Sequence, residues 1–166
     1  KVDWREQIDI GPERDAVSAA DAPDFARLIG PNLWPDAQPE LREVAALWQE
    51  HLTGVARKLL RAWALALGAP EGYFDDHFGE PSTLLKIVRY PGSSSPEPAQ
   101  GVGAHKDSGV LTLLWVEPGK GGLQVERDGA WVDAPPVPGA FVVNIGEMLE
   151  YATGCLLYTL DAADDL

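Results

Sequence analysis

Apolar residues between positions 39 and 67 recur three and four apart: Leu41, Val44, Ala45, Trp48, Leu52, Val55, Leu59, Ala62, Trp63 and Ala66. That is the period of an amphipathic helix. Pro39 suits its first turn and Gly68 the position just past its end. Glu40 and Glu43 lie near the positive end of the helix dipole, and Arg57, Lys58 and Arg61 towards the negative end. The pattern predicts a long helix over 39–67 that lays this stripe on the outside of a sheet. The first 22 residues read as charged, irregular chain, Pro23 to Ile29 as a short helix, and Trp34 as a plug in a hydrophobic groove.

From Thr83 the signal changes. Short runs rich in β-formers predict strands over 84–90, 101–107, 110–116, 122–127, 131–134 and 140–145. Pro91-Gly92 stops the first of them, and a Ser/Pro-rich loop follows over 93–100. Arg127-Asp128-Gly129-Ala130 carries the Asp-Gly hairpin signal. Pro135, Pro136 and Pro138 form a stiff connector without backbone donors. Closely spaced strands punctuated by Gly and Pro argue for a sandwich or jelly roll over alternating β-α units. The expected class is α+β, mainly β, with residues 1–82 a helical region, 83–154 a sheet core and 155–166 a tail.

Composition narrows the partners. The 166 residues carry 26 acidic against 13 basic side chains, a net charge of −13. No basic cluster is available to neutralise phosphates, so nucleic acid and anionic membrane surfaces are unexpected partners. No apolar run is long enough to span a bilayer, and no secretory leader opens the chain. The single Cys155 forms no internal disulfide framework. A cytoplasmic protein acting on a small molecule is the expectation.

One stretch offers chemistry. In a strand, residues two apart share a face, so His105 and Asp107 should project together and Lys106 away from them. An imidazole and a carboxylate so placed are two corners of the two-His, one-carboxylate arrangement of non-haem Fe(II) oxygenases. His-x-Asp alone matches at random often. The other candidates are weaker. His51 reads as a surface histidine on the helix flank, and His77 as a packing or capping residue in an aromatic-acidic turn. Glu147 and Glu150 read as one solvated face of a short helix. No dinucleotide or phosphate loop, nucleophile elbow or Cys-x-x-Cys is present.

Six motifs in order carry a resemblance: Gly30-Pro31-Asn32-x-Trp34-Pro35, Leu67-Gly68-Ala69-Pro70-x-x-Tyr73-Phe74, Arg89-Tyr90-Pro91, His105-x-Asp107, Gly122-Leu123-Gln124-Val125, and Gly139-x-Phe141-Val142-Val143-Asn144-Ile145-Gly146-Glu147. From about Asp3 to Thr153 the chain resembles the isopenicillin N synthase-like branch of the Fe(II)/2-oxoglutarate-dependent oxygenases. The resemblance implies a double-stranded β-helix, or jelly roll, with the long helix as support. It also implies Fe(II), 2-oxoglutarate and O2, and oxidation of a C–H bond of a small substrate. His105 and Asp107 match the first two iron ligands, and Tyr90 matches a position that reaches a cosubstrate or substrate carboxylate. Val88 stands where many plant members have Asn, a lean towards the bacterial subgroup. Asn144 and Leu123 match patterned positions that packing explains.

Two features of the family pattern are missing. No histidine follows His105, and no Arg-x-Ser pair follows. The residues from Cys155 to Leu166 depart from the pattern and resemble translated sequencing adapter. The expectation is a jelly roll incomplete at its C-terminal end, poorly soluble and inactive as it stands. Three other readings accompany it. One is an oxidase or cyclase of isopenicillin N synthase type that uses no 2-oxoglutarate. Another is a jelly-roll binding module that keeps a vestigial metal site. The third is a structural carbohydrate-binding sandwich, which should line a flat exposed face with aromatics, whereas Trp48 and Trp63 fall on the helix stripe.

Overall fold

The computed structural model describes residues 3–17, 23, 24, 26, 29–91, 100–154, 156, 157 and 162–165. Cys155, residues 93–99 of the loop expected over 93–100 and part of the short helix expected over 23–29 lie outside them. Elements follow in the order β1 (Glu6–Ile10), α1 (Leu41–Ala66), β2 (Leu85–Arg89), β3 (Gln100–His105), β4 (Leu111–Leu114), β5 (Leu123–Arg127), β6 (Ala130–Asp133), β7 (Val142–Ile145), α2 (Glu147–Ala152) and β8 (Ala162–Asp165). The class is α+β, mainly β, as expected. The chain divides into two compact units, one of Ile8–Ile87 and one of Lys1–Gln7 with Val88–Leu166.

In the first unit α1 keeps its predicted limits to within two residues. Its end is a Schellman motif: Gly68 N–H bonds to Leu65 O and Ala69 N–H to Ala64 O, with Gly68 at φ 77°. The stripe is shifted in part: Leu41, Ala45, Leu52, Leu59 and Trp63 are buried or half-buried as expected, joined by Gln49, Thr53, Ala56, Leu60 and Ala64. Val44, Trp48 and Val55 are exposed instead. Apolar residues occupy more than one face of this helix, so periodicity alone could not centre the stripe. Gln49 sits on this stripe because its Nε2 donates to Ile10 O at 3.1 Å.

The basic residues also act differently from the expectation. The last turn of α1 holds none. Arg57 donates to Phe78 O and Gly79 O, and Arg61 grips the Asp75 carboxylate through Nε and Nη2 at 3.1 and 2.8 Å. Both arginines pin the Asp75–His77 3-10 turn to the helix, with Phe74 buried beneath it and Tyr73 edge-on to Phe74. His77 and His51 are exposed. Trp34 is half-buried in an open apolar groove with Ile8, Ile10, Leu33, Pro35 and Leu41.

The opening segment is corrected too. Glu6–Ile10 is a strand, β1, which pairs with β2 in a two-stranded sheet. Ile8 and Ile10 alternate with Gln7 and Asp9, a signal too short to stand out among charged neighbours.

In the second unit the chain passes back and forth between two sheets. β3, β8, β5 and β6 form one, in that order, while β4 and β7 form the other. β5 and β6 close through Asp128 at φ 54° and Gly129 at φ 79°, the two positive angles of the predicted Asp-Gly turn. β4 and β7 pair in even register, Thr112 opposite Asn144. The segment over 155–166, expected as a tail, contributes a strand. β8 lies between β3 and β5, in even register with β5 and with shifts against β3.

Two outcomes follow. Ala64 is fully buried, so Ala64→Leu overpacks α1 and is expected to cost about 1–3 kcal/mol in urea denaturation. The hydrogen bonds from Arg61, with its charge, hold the Asp75 carboxyl below its ordinary pKa. A carboxyl lowered in the folded state contributes stability above its unfolded pKa, near about 4, and loses it as pH falls through the folded value. The stability gap between the parent and Asp75→Asn should therefore narrow as pH is lowered from about 6 to about 2.

Candidate metal centre

β3 ends at His105, so Asp107 lies just past the strand and not on it. The two side chains are neighbours, as alternation expects, but the support of the second is different. His105 Nε2 and Asp107 Oδ1 stand 3.8 Å apart. Lys106 turns away, with its Nζ 3.9 Å from Glu150 Oε2. Glu150 is thereby only half-buried beside a cation, and does not share the solvated face expected for it with Glu147.

The support for Asp107 comes from α2. The first N–H groups of a helix have no partner within it. Here Gly146 N–H bonds to Val110 O at 2.9 Å, Glu147 N–H to Asp107 O at 2.8 Å and Met148 N–H to Gly109 O at 3.1 Å. The turn over 107–110 thus completes the start of α2, and α2 fixes the turn. Leu149, 1% exposed, anchors the helix from below. A Cβ at Gly146 would overlap the Gly109 carbonyl, so only glycine allows this approach.

Side-chain contacts set the electronic state of the pair. His105 Nδ1 lies 2.9 Å from Gly103 O. A carbonyl only accepts, so Nδ1 carries the proton, and in the neutral ring Nε2 keeps its lone pair on the Asp107 side. Asn144 Nδ2 donates to Asp107 Oδ2 at 3.3 Å, which leaves Oδ1 towards His105. The side chains are 45% and 24% exposed, so a small ligand can approach from solvent.

A metal-ligating imidazole uses one nitrogen while the other donates to a carbonyl or carboxylate, and a ligating carboxylate is itself hydrogen-bonded. Both conditions hold here. Donors about 2 Å from one shared cation lie within about 4 Å of each other, and this pair meets that limit. The donor set is one nitrogen and one carboxylate oxygen, suited to Fe(II). Among the described residues no group of three His, Cys, Asp or Glu could hold a metal ion. Tyr90 directly follows β2, half-buried, in the same unit as the pair.

Asn144 was missed as more than packing. Its one signal is an amide within Val142-Val143-Asn144-Ile145, an otherwise apolar strand. Of the backbone donors at 146–148 the only residue-type signal is Gly146, whose missing side chain the approach requires.

Strands that pass between two sheets, with a His-x-Asp pair at the end of one of them, define a jelly roll with a candidate metal corner. The profile of the 2OG-Fe(II) oxygenase superfamily matches residues 81–158. Homoarginine-6-hydroxylase 2-ODD-C23.1 of Arabidopsis thaliana is 39% identical over 127 residues, 73% of this chain and 38% of that protein. The 2-oxoglutarate-dependent dioxygenase frbJ of Dothideomycetidae sp. (strain 11243) is 35% identical over 161 residues, 92% of this chain and 42% of that protein. Among solved structures, JOX2 in complex with 2OG, Fe and JA superposes with a TM-score of 0.81 at 27% identity, over 99% of this chain and 46% of that one. A 2OG-Fe(II) oxygenase family protein from Caulobacter crescentus gives a TM-score of 0.80 at 29% identity, over 96% of this chain and 50% of that one. The chain belongs to the 2OG-Fe(II) oxygenase superfamily and has its jelly-roll fold. It spans about two fifths of the length of the curated relatives it matches. No described helix is long and apolar enough to cross a membrane.

Gly146→Ala should push the 107–110 turn off α2. The expected cost is about 1–3 kcal/mol by chemical denaturation, against a change within about 0.5 kcal/mol for Gly121→Ala, where a Cβ meets nothing.

Proposed function

We propose that the protein is an Fe(II)/2-oxoglutarate-dependent dioxygenase that oxidises a C–H bond of a small molecule, with His105 and Asp107 as two of the metal ligands. The observation that carries this reading is the His105 Nε2 lone pair facing Asp107 Oδ1 at 3.8 Å, each group held from behind by its own hydrogen bond. The reading is supported by the superfamily match and by relatives whose names are those of a homoarginine hydroxylase and a 2-oxoglutarate-dependent dioxygenase.

Bound Fe(II) supplies O2 activation coupled to decarboxylation of 2-oxoglutarate, the chemistry of the family. This chain's residues hold and orient. His105 presents Nε2 because Gly103 O retains the Nδ1 proton. Asp107 presents one carboxylate oxygen while Asn144 occupies the other. Tyr90 is assigned to a carboxylate of cosubstrate or substrate, through a phenol that donates one hydrogen bond. Two protein donors bind a divalent ion less tightly than three, so a site built from His105 and Asp107 alone is assigned weak metal affinity.

Anaerobic Fe(II) titration of the parent chain tests the assignment. His105→Ala and Asp107→Ala should each weaken the affinity at least about tenfold. Equal affinity in parent and His105→Ala would contradict it and favour a metal-free binding module.

A further inference from the structure

The geometry points to Asn144 as a positioning residue that sets the plane of the Asp107 carboxylate for metal binding. This rests on the reading of His105 and Asp107 as ligands. The backbone of Asp107 is fixed by the Glu147 N–H bond to its carbonyl. That bond does not fix the carboxylate, because the terminal torsion of an Asp is broad and roughly two-fold. A second contact has to choose the oxygen that faces His105. Lys106, the adjacent cation, is turned towards Glu150. Asn144 makes that contact from β7, and a carboxylate cannot donate, so the Asn144 nitrogen faces Oδ2. The side chain comes from a residue paired across the ladder with Thr112 of β4, so its base is set by the sheet. Two devices thus act on one ligand: α2 holds its main chain and Asn144 its side chain.

The test reads Mn2+ affinity of the folded chain from the EPR signal of free Mn2+, beside apo thermal unfolding. Asn144→Leu, similar in size and without a donor, should weaken Mn2+ binding about tenfold and alter the line shape of bound Mn2+. Asn144→Ala provides the same reading if the leucine variant does not fold. A merely structural role would lower the unfolding temperature and leave the folded-state affinity unchanged, and that outcome overturns the inference. A variant of the other partner gives a separate measurement: in Asp107→Ala the Asn144 side-chain amide resonances should shift, and no shift overturns the inference as well. If Mn2+ binding of the parent does not depend on His105 or Asp107, the metal reading itself fails and the inference with it. If it depends on both and not on Asn144, only the inference fails.

Discussion

Three backbone N–H groups at the start of α2 hold the turn that carries Asp107. Gly146, Glu147 and Met148 donate to Val110 O, Asp107 O and Gly109 O. Helix starts need partners for these donors, and buried or half-buried carbonyls need donors. Each side here satisfies the other. The candidate ligand therefore stands on a short helix from much later in the chain, and β3 supplies only the histidine. The packing that makes this contact possible depends on a missing side chain at Gly146 and a buried one at Leu149.

The consequence for chemistry is a divided support. His105 sits at a strand end and receives its tautomer from a carbonyl two residues back. Asp107 receives its backbone position from α2 and its carboxylate plane from β7. Separate supports place two unlike donors side by side without a direct hydrogen bond between them, at 3.8 Å. A pair bonded to each other would be less available to a cation, because a shared proton would occupy the nitrogen lone pair. The gap and the two rear contacts suit a site that a divalent ion is meant to enter.

Much of this was legible in the sequence, for identifiable reasons. α1, the strands from β2 to β7 and the Asp128-Gly129 turn follow from period, breakers and turn chemistry, each of which is local. The His105-Lys106-Asp107 neighbourhood was legible because alternation survives one step past a strand end. What escaped was relational. The stripe of α1 could not be centred from Val44, Trp48 and Val55, because the helix is apolar on several sides and tertiary contact chooses among them. Arg57 and Arg61 read as dipole partners, while a loop supplied better acceptors. The staple from α2 uses main-chain atoms, and Gly146 alone marks it in the sequence without naming its partner turn. Asn144 read as packing because its partner lies 37 positions away. β1 escaped because its two isoleucines stand among charged neighbours, and β8 because Ala-Ala-Asp-Asp contains no residue that favours a strand.

The central claim is that α2 fixes the Asp107 turn through its backbone donors, and amide hydrogen exchange of Glu147 measures it most directly. That N–H, 2.8 Å from Asp107 O, should exchange at least about a hundredfold more slowly than in an unstructured peptide. Exchange at the unstructured rate, with the Leu149 amide still protected, would mean that α2 forms without holding the turn, and would contradict the account.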